Sequence, residues 1–323
     1  ASEETVASTT PASGFELLER AHELEALATA LAGVDETGRG KLALVRGEAG
    51  VGKTALVDCF TSSLGSWPVL RAACEPLHTP SPLGPFLEIA DVVGGELERI
   101  ASGGPQPYAL AGELLRAFAV RPAVLVIEDV HWADEATLDV LRLLARRLES
   151  VPMLVIATYR DDELTRGHPL RTVLGELGAR AVRVSVPVLS AAAVAALAGS
   201  TGFDPDALYR RTNGNPFFVT EALAAGGEGV PETVRDAVIA RAARLSQAAR
   251  QLLDAVAVVP PYVERTLLDQ LVPNADSALD ECTTTGMLRA GDGRVSFRHE
   301  LARLAIEDDL PPGTRRTLHR AVL

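Results

Sequence analysis

The segment Gly47-Glu48-Ala49-Gly50-Val51-Gly52-Lys53-Thr54 brings three glycines, a lysine and a hydroxyl into eight consecutive residues, with the spacing G-x-x-x-x-G-K-[ST]. Glycines let successive backbone N–H groups turn toward one anion, and a helix that begins at the lysine adds the positive end of its dipole. That chemistry is phosphate binding. Gly47, Ala49, Gly50, Val51, Gly52, Lys53, Thr54 and Ala55 are the candidate contacts to a nucleotide, ATP or ADP. Lys53 is expected on the β- and γ-phosphates and the Thr54 hydroxyl on Mg²⁺. A second cluster lies 75 residues beyond Lys53, where the apolar run Val124-Leu125-Val126-Ile127 ends in Glu128-Asp129. Acids at the C-terminal end of a strand beside a phosphate loop hold Mg²⁺ through water and polarise an attacking water. Glu128 is assigned to the metal shell and Asp129 to water activation, and the sequence equally permits the reverse. The run Met153 to Tyr159 ends at Arg160, whose guanidinium suits the γ-phosphate. Lys53, Glu128, Asp129 and Arg160 are the candidate catalytic set.

These residues need a scaffold that delivers strand ends and one helix start to a common crevice. Apolar runs at Leu42–Val45, Pro68–Leu70, Val124–Ile127, Met153–Ala157 and Val182–Val186 read as buried strands. Helical patterns fall between and beside them at Phe15–Ala32, Thr54–Ser63, Pro85–Ile100, Asp134–Leu148 and Pro169–Leu177, with a Gly-rich break at Gly33–Gly40. Apolar strands alternating with helices predict an α/β fold, a parallel sheet covered on both faces. After Pro187 the pattern is helical: Ala191–Ala198, Asp204–Arg211, Pro216–Ala224, Thr233–Arg244, Gln247–Val258 and Ala275–Thr285. Two short strands around Gly291-Asp292-Gly293 predict a hairpin, and helices, hairpin and a further helix predict a winged-helix arrangement. The expected division is a disordered lead-in at 1–14, a phosphate-loop unit at 15–188, a small helical unit at 189–230 and a winged-helix unit at 231–323. The helical pattern Thr314–Leu323 has no stop signal, so the last unit reads as cut at its C-terminal end.

Composition narrows the functions open to such a chain. Hydrophobic residues form 47% of the 323, which excludes a disordered tail. With 31 Lys and Arg against 43 Asp and Glu the net charge is −12, which disfavours binding to nucleic acid through bulk electrostatics. No apolar run approaches the ~20 residues of a membrane span, and the first fourteen residues have neither the basic start nor the apolar middle of a signal peptide. Cys59, Cys74 and Cys282 form no C-x-x-C pair, so they read as core residues of a protein in a reducing, cytoplasmic setting. Only Lys41 and Lys53 are lysines, which leaves Lys53 as the one ammonium near the phosphates.

Five blocks carry a wider resemblance: GEAGVGKTALV, VLVIEDVHWADEATLDVLRLLARRL, LVIATYRDDEL, RTNGNPFFVTE and SFRHELARLAIEDDLPPGTRRTLHRAV. In this order they resemble the ATPase module of the large ATP-binding LuxR-type transcriptional regulators, in the STAND branch of the AAA+ P-loop ATPases. The resemblance implies that Gly214 and Pro216 of Gly214-Asn215-Pro216 pack against adenine, and that His299 contacts the β-phosphate of ADP and locks a closed state. It implies backbone contacts to adenine at Leu18 and Arg20, although Glu19 stands where glycine is usual. It further implies slow Mg²⁺-dependent hydrolysis and self-association when ATP is bound. In such regulators an inducer acts through a C-terminal sensor and a separate domain reads DNA. Neither part is within this chain, so no direct DNA contact is expected of it. His131-Trp132 matches the family's H-W-A-D run and reads as a packed loop that orients the two acids. Arg142-Arg146-Arg147 and Arg315-Arg316-Arg320 read as solvated helix faces. The leading expectation is a signal-transducing switch in which nucleotide hydrolysis gates domain rearrangement, and two other readings stand beside it: a small-molecule phosphotransferase, and a scaffold that holds nucleotide without turnover.

Overall fold

The computed structural model describes residues 17–76, 81–104, 106–178, 180–199, 201–226, 229–272 and 275–322. The expected lead-in at 1–14 and the first two residues of the expected opening helix lie outside the described residues. The first helix, α1 (Ala21–Thr37), starts later than expected and runs through Gly33. It continues because Leu27, Ala30, Leu31 and Val34 form one buried stripe against the sheet. It stops at Gly38, which takes the left-handed conformation and returns its N–H to the Val34 carbonyl.

Five strands follow with their crossovers: β1 (Lys41–Arg46), α2 (Lys53–Ser62), β2 (Val69–Ala73), α3 (Gly84–Val93), α4 (Gly95–Ser102), α5 (Pro107–Ala117), β3 (Ala123–Glu128), α6 (Glu135–Arg147), β4 (Met153–Tyr159), α7 (Pro169–Leu177) and β5 (Ala181–Ser185). The sheet order is β2-β3-β4-β1-β5. Every pairing in it is parallel, as expected for apolar strands joined through helices. Successive side chains leave opposite faces, so each central strand feeds two cores. Ala43, Val45, Val124, Val126, Leu154 and Ile156 pack under α1 and α2. Leu42, Leu44, Leu125, Ile127 and Val155 pack under the helices between β2 and β5. The single helix expected at Pro85–Ile100 is two, because Gly94 and Gly95 both take positive φ (71° and 66°) and turn the chain between α3 and α4. The sequence reading also missed α5, which opens on Pro107 and buries Leu110, Ala111, Leu114 and Leu115.

The C-terminal part consists of α8 (Ala191–Ala198), α9 (Pro205–Thr212), α10 (Pro216–Ala225), α11 (Glu232–Ala242), α12 (Gln247–Ala257), β6 (Val263–Glu264), α13 (Arg265–Leu271), α14 (Ala275–Thr284), β7 (Leu288–Gly291), β8 (Arg294–Phe297), α15 (Glu300–Asp309) and α16 (Pro312–Val322). The predicted hairpin is present: β7 and β8 pair antiparallel, and Asp292 and Gly293 turn between them with φ of 51° and 71°. The two-residue β6, which the sequence reading missed, adds to β8. One apolar core runs from Leu189 through Val219, Val238 and Leu252 to Ile306. No helix among the described residues is long and apolar enough to cross a membrane.

Candidate nucleotide site

The loop Gly47–Gly52 joins β1 to α2, the strand–loop–helix order its motif requires. Gly50 and Gly52 take φ of 76° and 96°, a region that disfavours side chains. At Gly50 an added Cβ would stand 2.8 Å from the Phe217 Cβ, so the loop is packed from outside at that point. At Gly52, the residue before α2, it would meet nothing within 4 Å. Gly52 thus borders open space at a helix N-terminus, as a phosphate cradle does.

Lys53 is 6% exposed, and its Nζ donates to the carbonyls of Gly47 (2.8 Å) and Glu48 (2.9 Å). Burial and the neighbouring Arg160 charge hold its ammonium below the usual lysine range, against the pull of Asp129 and other acids. No carboxylate among the described residues lies within ion-pair distance of it. A buried cation with carbonyl partners alone suits an anionic ligand. The Thr54 hydroxyl donates to Glu128 Oε2 at 2.6 Å, so the two candidate Mg²⁺ ligands adjoin. Two protein oxygens suffice for Mg²⁺, which takes its remaining ligands from phosphate and water. Arg71, on β2, donates to the other Glu128 oxygen at 2.6 Å. The sequence reading missed Arg71, because its partner lies 57 positions away on the neighbouring strand.

Glu128 and Asp129 diverge although they are adjacent. Glu128 ends β3 in extended geometry, whereas Asp129 turns to φ 54° and gives its N–H to the Thr158 hydroxyl at 3.0 Å. The Asp129 carboxylate therefore faces Arg160, with Oδ2 3.9 Å from the guanidinium. Arg160 follows β4, donates to Glu163 Oε1 at 2.7 Å and lies over the Trp132 ring at 4.5 Å.

The C-terminal helices close on this site through side chains. Asn215 Nδ2 donates to Glu48 Oε1 (2.7 Å) and the Ala49 carbonyl (2.9 Å), and the Phe217 N–H donates to the Gly50 carbonyl. Arg298 donates to Glu48 Oε2 at 3.0 Å. His299 is buried, with Nδ1 2.9 Å from the Thr212 carbonyl and Nε2 3.5 Å from Glu48 Oε1. A carbonyl only accepts, so Nδ1 carries the proton. Burial pushes the His299 pKa down to about 4, with Glu48 and the Thr212 carbonyl opposing it. Gly214 takes φ 73°, and a Cβ there would stand 2.2 Å from the Leu189 carbonyl. Pro216 opens α10. The flanking Asn215 and Phe217 grip the loop, and neither was singled out from sequence.

At the other side Arg20 is buried, donating to the carbonyls of Val51 (3.2 Å) and Pro187 (2.8 Å). Leu18 packs against the C-terminal core. Glu19 adopts φ 57°, the conformation that glycine takes most readily, and its carboxylate accepts from the Ser190 N–H and hydroxyl. Those bonds hold it below the usual carboxylate range and anchor the start of α8. A cavity of about 350 Å³ opens between the parts, bordered by Glu48, Gly50, Trp132, Arg160, Arg241 and His299. Arg241 of α11 reaches Asp162 at 2.8 Å and Glu163 at 3.4 Å.

Outside the site, Arg142 pairs with Asp139 and Glu176, and Arg315 pairs with Glu307, in keeping with solvated helix faces. Cys74 and Cys282 are buried, and burial pushes both thiols up to about 12. Cys59 corrects the expectation of three core cysteines: it is exposed, off the α2 stripe of Lys53, Leu56, Val57 and Phe60 that faces the sheet.

Residues 16–156 match the family described as AAA ATPase domain. An uncharacterised protein of Rhizobium meliloti is 26% identical over 95% of this chain, and the chain spans 36% of that relative's length. Among solved structures, a Walker-type ATPase of Pyrococcus abyssi superposes with a TM-score of 0.60 at 15% identity, covering 90% of this chain and 96% of that one. A STAND protein of Pyrococcus horikoshii with a tetratricopeptide repeat sensor covers 95% of this chain and 44% of its own, at 16% identity and a TM-score of 0.46. Residues 16–156 thus resemble an AAA ATPase domain, in a chain with the fold of a Walker-type ATPase.

Proposed function

We propose that this chain is a nucleotide-operated switch, in which slow ATP hydrolysis changes how the C-terminal helices sit on the phosphate loop. The observation that carries the reading is Glu48. This phosphate-loop residue is bonded at once by Asn215 from the start of α10 and Arg298 from the end of β8, with His299 beside it. A ligand that moves the loop acts on all three, which is the differential contact a population shift requires.

In this reading the N–H groups of the phosphate loop, from Gly47 to Ala55, and Lys53 bind the phosphates. Thr54 and Glu128 hold Mg²⁺, which when bound supplies neutralising charge at the β- and γ-oxygens. Asp129 accepts the proton of the attacking water, and Arg160 leaves Glu163 for the γ-phosphate. Leu18, Arg20, Gly214 and Pro216 border the adenine, and His299 monitors the β-phosphate side through Glu48. Residues 189–230 form a small helical unit and 231–323 a winged-helix unit, a division supported by the hairpin and the helices around it. The module belongs to a larger LuxR-type STAND regulator working in the cytoplasm. That regulator self-associates with ATP bound, and its sensor for an inducer and its DNA reader lie outside this chain.

Calorimetry with ATP and ADP, on the wild type and Lys53→Ala, tests the nucleotide assignment, and wild-type affinity in the variant would overturn it. Phosphate release that depends on Asp129 supports turnover. Transfer of phosphate to a metabolite would favour a phosphotransferase, and binding without release would favour a static scaffold.

A further inference from the structure

His131 is a buried titratable group to which the proposed function gives no role. It sits in a 3-10 turn, Val130–Trp132, that follows Asp129. Two tethers fix the backbone there: Asp129 N–H to the Thr158 hydroxyl at 3.0 Å, and His168 Nε2 to the His131 carbonyl at 3.0 Å. His168 Nδ1 accepts from the Leu170 N–H, so its Nε2 carries the proton and donates. The His131 ring is thereby turned inward, its side chain 1% exposed, and neither ring nitrogen has a hydrogen-bond partner among the described residues. Each nitrogen instead faces a carboxylate: Nδ1 is 3.7 Å from Asp129 Oδ1, and Nε2 is 3.4 Å from Glu163 Oε2. The other Glu163 oxygen accepts from Arg160 at 2.7 Å, and Arg160 in turn lies 3.9 Å from Asp129 Oδ2. Asp129, His131, Glu163 and Arg160 therefore close a ring. Burial would raise the Glu163 carboxyl, but His131, Arg160 and Arg241 prevail and hold it well below the usual carboxylate range.

We propose that His131 is a positioning residue that couples Asp129 to Arg160 through Glu163, so that the water-activating acid is set in place when the arginine is drawn to a phosphate. This rests on the roles given above to Asp129 and Arg160. The imidazole lies between two carboxylates, and a ring shift of about 0.5 Å turns either approach into a full hydrogen bond. While Glu163 holds Arg160, its need for a second donor is small. Once Arg160 turns to an anionic oxygen, Glu163 loses its 2.7 Å partner and draws the His131 ring. Asp129, next to that ring in sequence and in space, follows.

The test compares wild type, His131→Ala, His131→Asn and the double variant His131→Ala/Glu163→Gln, by ATP binding and single-turnover hydrolysis. His131→Ala should slow hydrolysis about 100-fold while the Kd for ATP stays within about 3-fold, since misplacing a reacting group by about 1 Å costs rate and not binding. His131→Asn, whose amide still donates, should recover about tenfold of that loss. The double variant should be no slower than His131→Ala, because the two residues act in one linkage. Unchanged hydrolysis in His131→Ala, loss of ATP binding together with the rate, or fully additive losses would each overturn the coupling. If the wild type binds ATP without hydrolysing it, the turnover reading fails on its own, and Trp132 emission still reads the ring in a Trp67→Phe background. Its ring lies 4.5 Å from both His131 and Arg160. The emission should differ between ATPγS and ADP complexes and lose that difference in His131→Ala. A difference that persists there, or that is missing from both proteins, overturns the proposal.

Discussion

Around the phosphate loop the α/β unit contributes mainly backbone geometry, and the C-terminal helices contribute mainly side chains. On the α/β side, the loop's glycine conformations, the start of α2 and the tips of β3 and β4 place Lys53, Thr54, Glu128 and Arg160. These positions follow from strands whose residues are buried on both faces, so few single changes reach them without disturbing a core. On the other side, Asn215, Arg241, Arg298 and His299 reach across from helix starts, a helix body and a strand end. Each such contact rests on one side chain, so a single substitution removes it. Under the proposed switch, a core-built half that binds and a half attached through polar side chains would let a small change at the phosphates become a domain movement.

The sharpest break of this contrast is Lys53→Ala, which should lower ATP affinity about 100-fold by calorimetry while the melting temperature holds, since a charge-assisted bond to phosphate is worth about 3 kcal/mol. Next, Glu48→Ala and His299→Ala should each speed ADP release, on the order of tenfold in stopped flow, because they cut the same attachment. Their double variant should add little to either. Unchanged release in both would mean that the C-terminal helices do not gate the site. A smaller effect is set by pH. The folded His299 pKa is depressed to about 4, below its unfolded value of about 6.5, so its contribution is fully present above pH 6.5 and is lost as the pH falls toward 4. Wild type should therefore lose a few degrees more of melting temperature across that window than His299→Gln, and parallel curves would remove His299 as the source. The smallest effect belongs to Arg244, whose guanidinium lies 5.5 Å from the Trp132 ring that also carries Arg160. Arg244→Ala should cost about 0.5–1 kcal/mol and shift Trp132 emission, leaving ATP affinity unchanged.

Arg71, Asn215 and Glu163 show why part of the site stays hidden in the sequence. Each acts on a partner delivered by another element, and nothing in its neighbours signals the meeting. Glu19 is an intermediate case. Its place in a position usual for glycine is visible from the resemblance, but its reason is visible only in the φ of 57° and the Ser190 bonds. The boundary errors have local causes. The opening helix ran past Gly33 because Val34 continued its buried stripe, and α3 and α4 divided because paired glycines turned the chain.

The sequence by itself determined the phosphate loop, the acidic strand end, the parallel α/β order and the C-terminal hairpin, because each rests on spacing within one or two elements and on burial periodicity. The tertiary structure decided which acid faces which partner. Glu128 stays in the strand and meets Thr54, whereas Asp129 turns out of it toward His131 and Arg160. It also decided that the hold on the loop comes from Glu48, Asn215 and Arg298, residues up to 250 positions apart. Such contacts are selected by how whole helices pack on the sheet, and that packing is a property of the assembled core and not of any local run of residues.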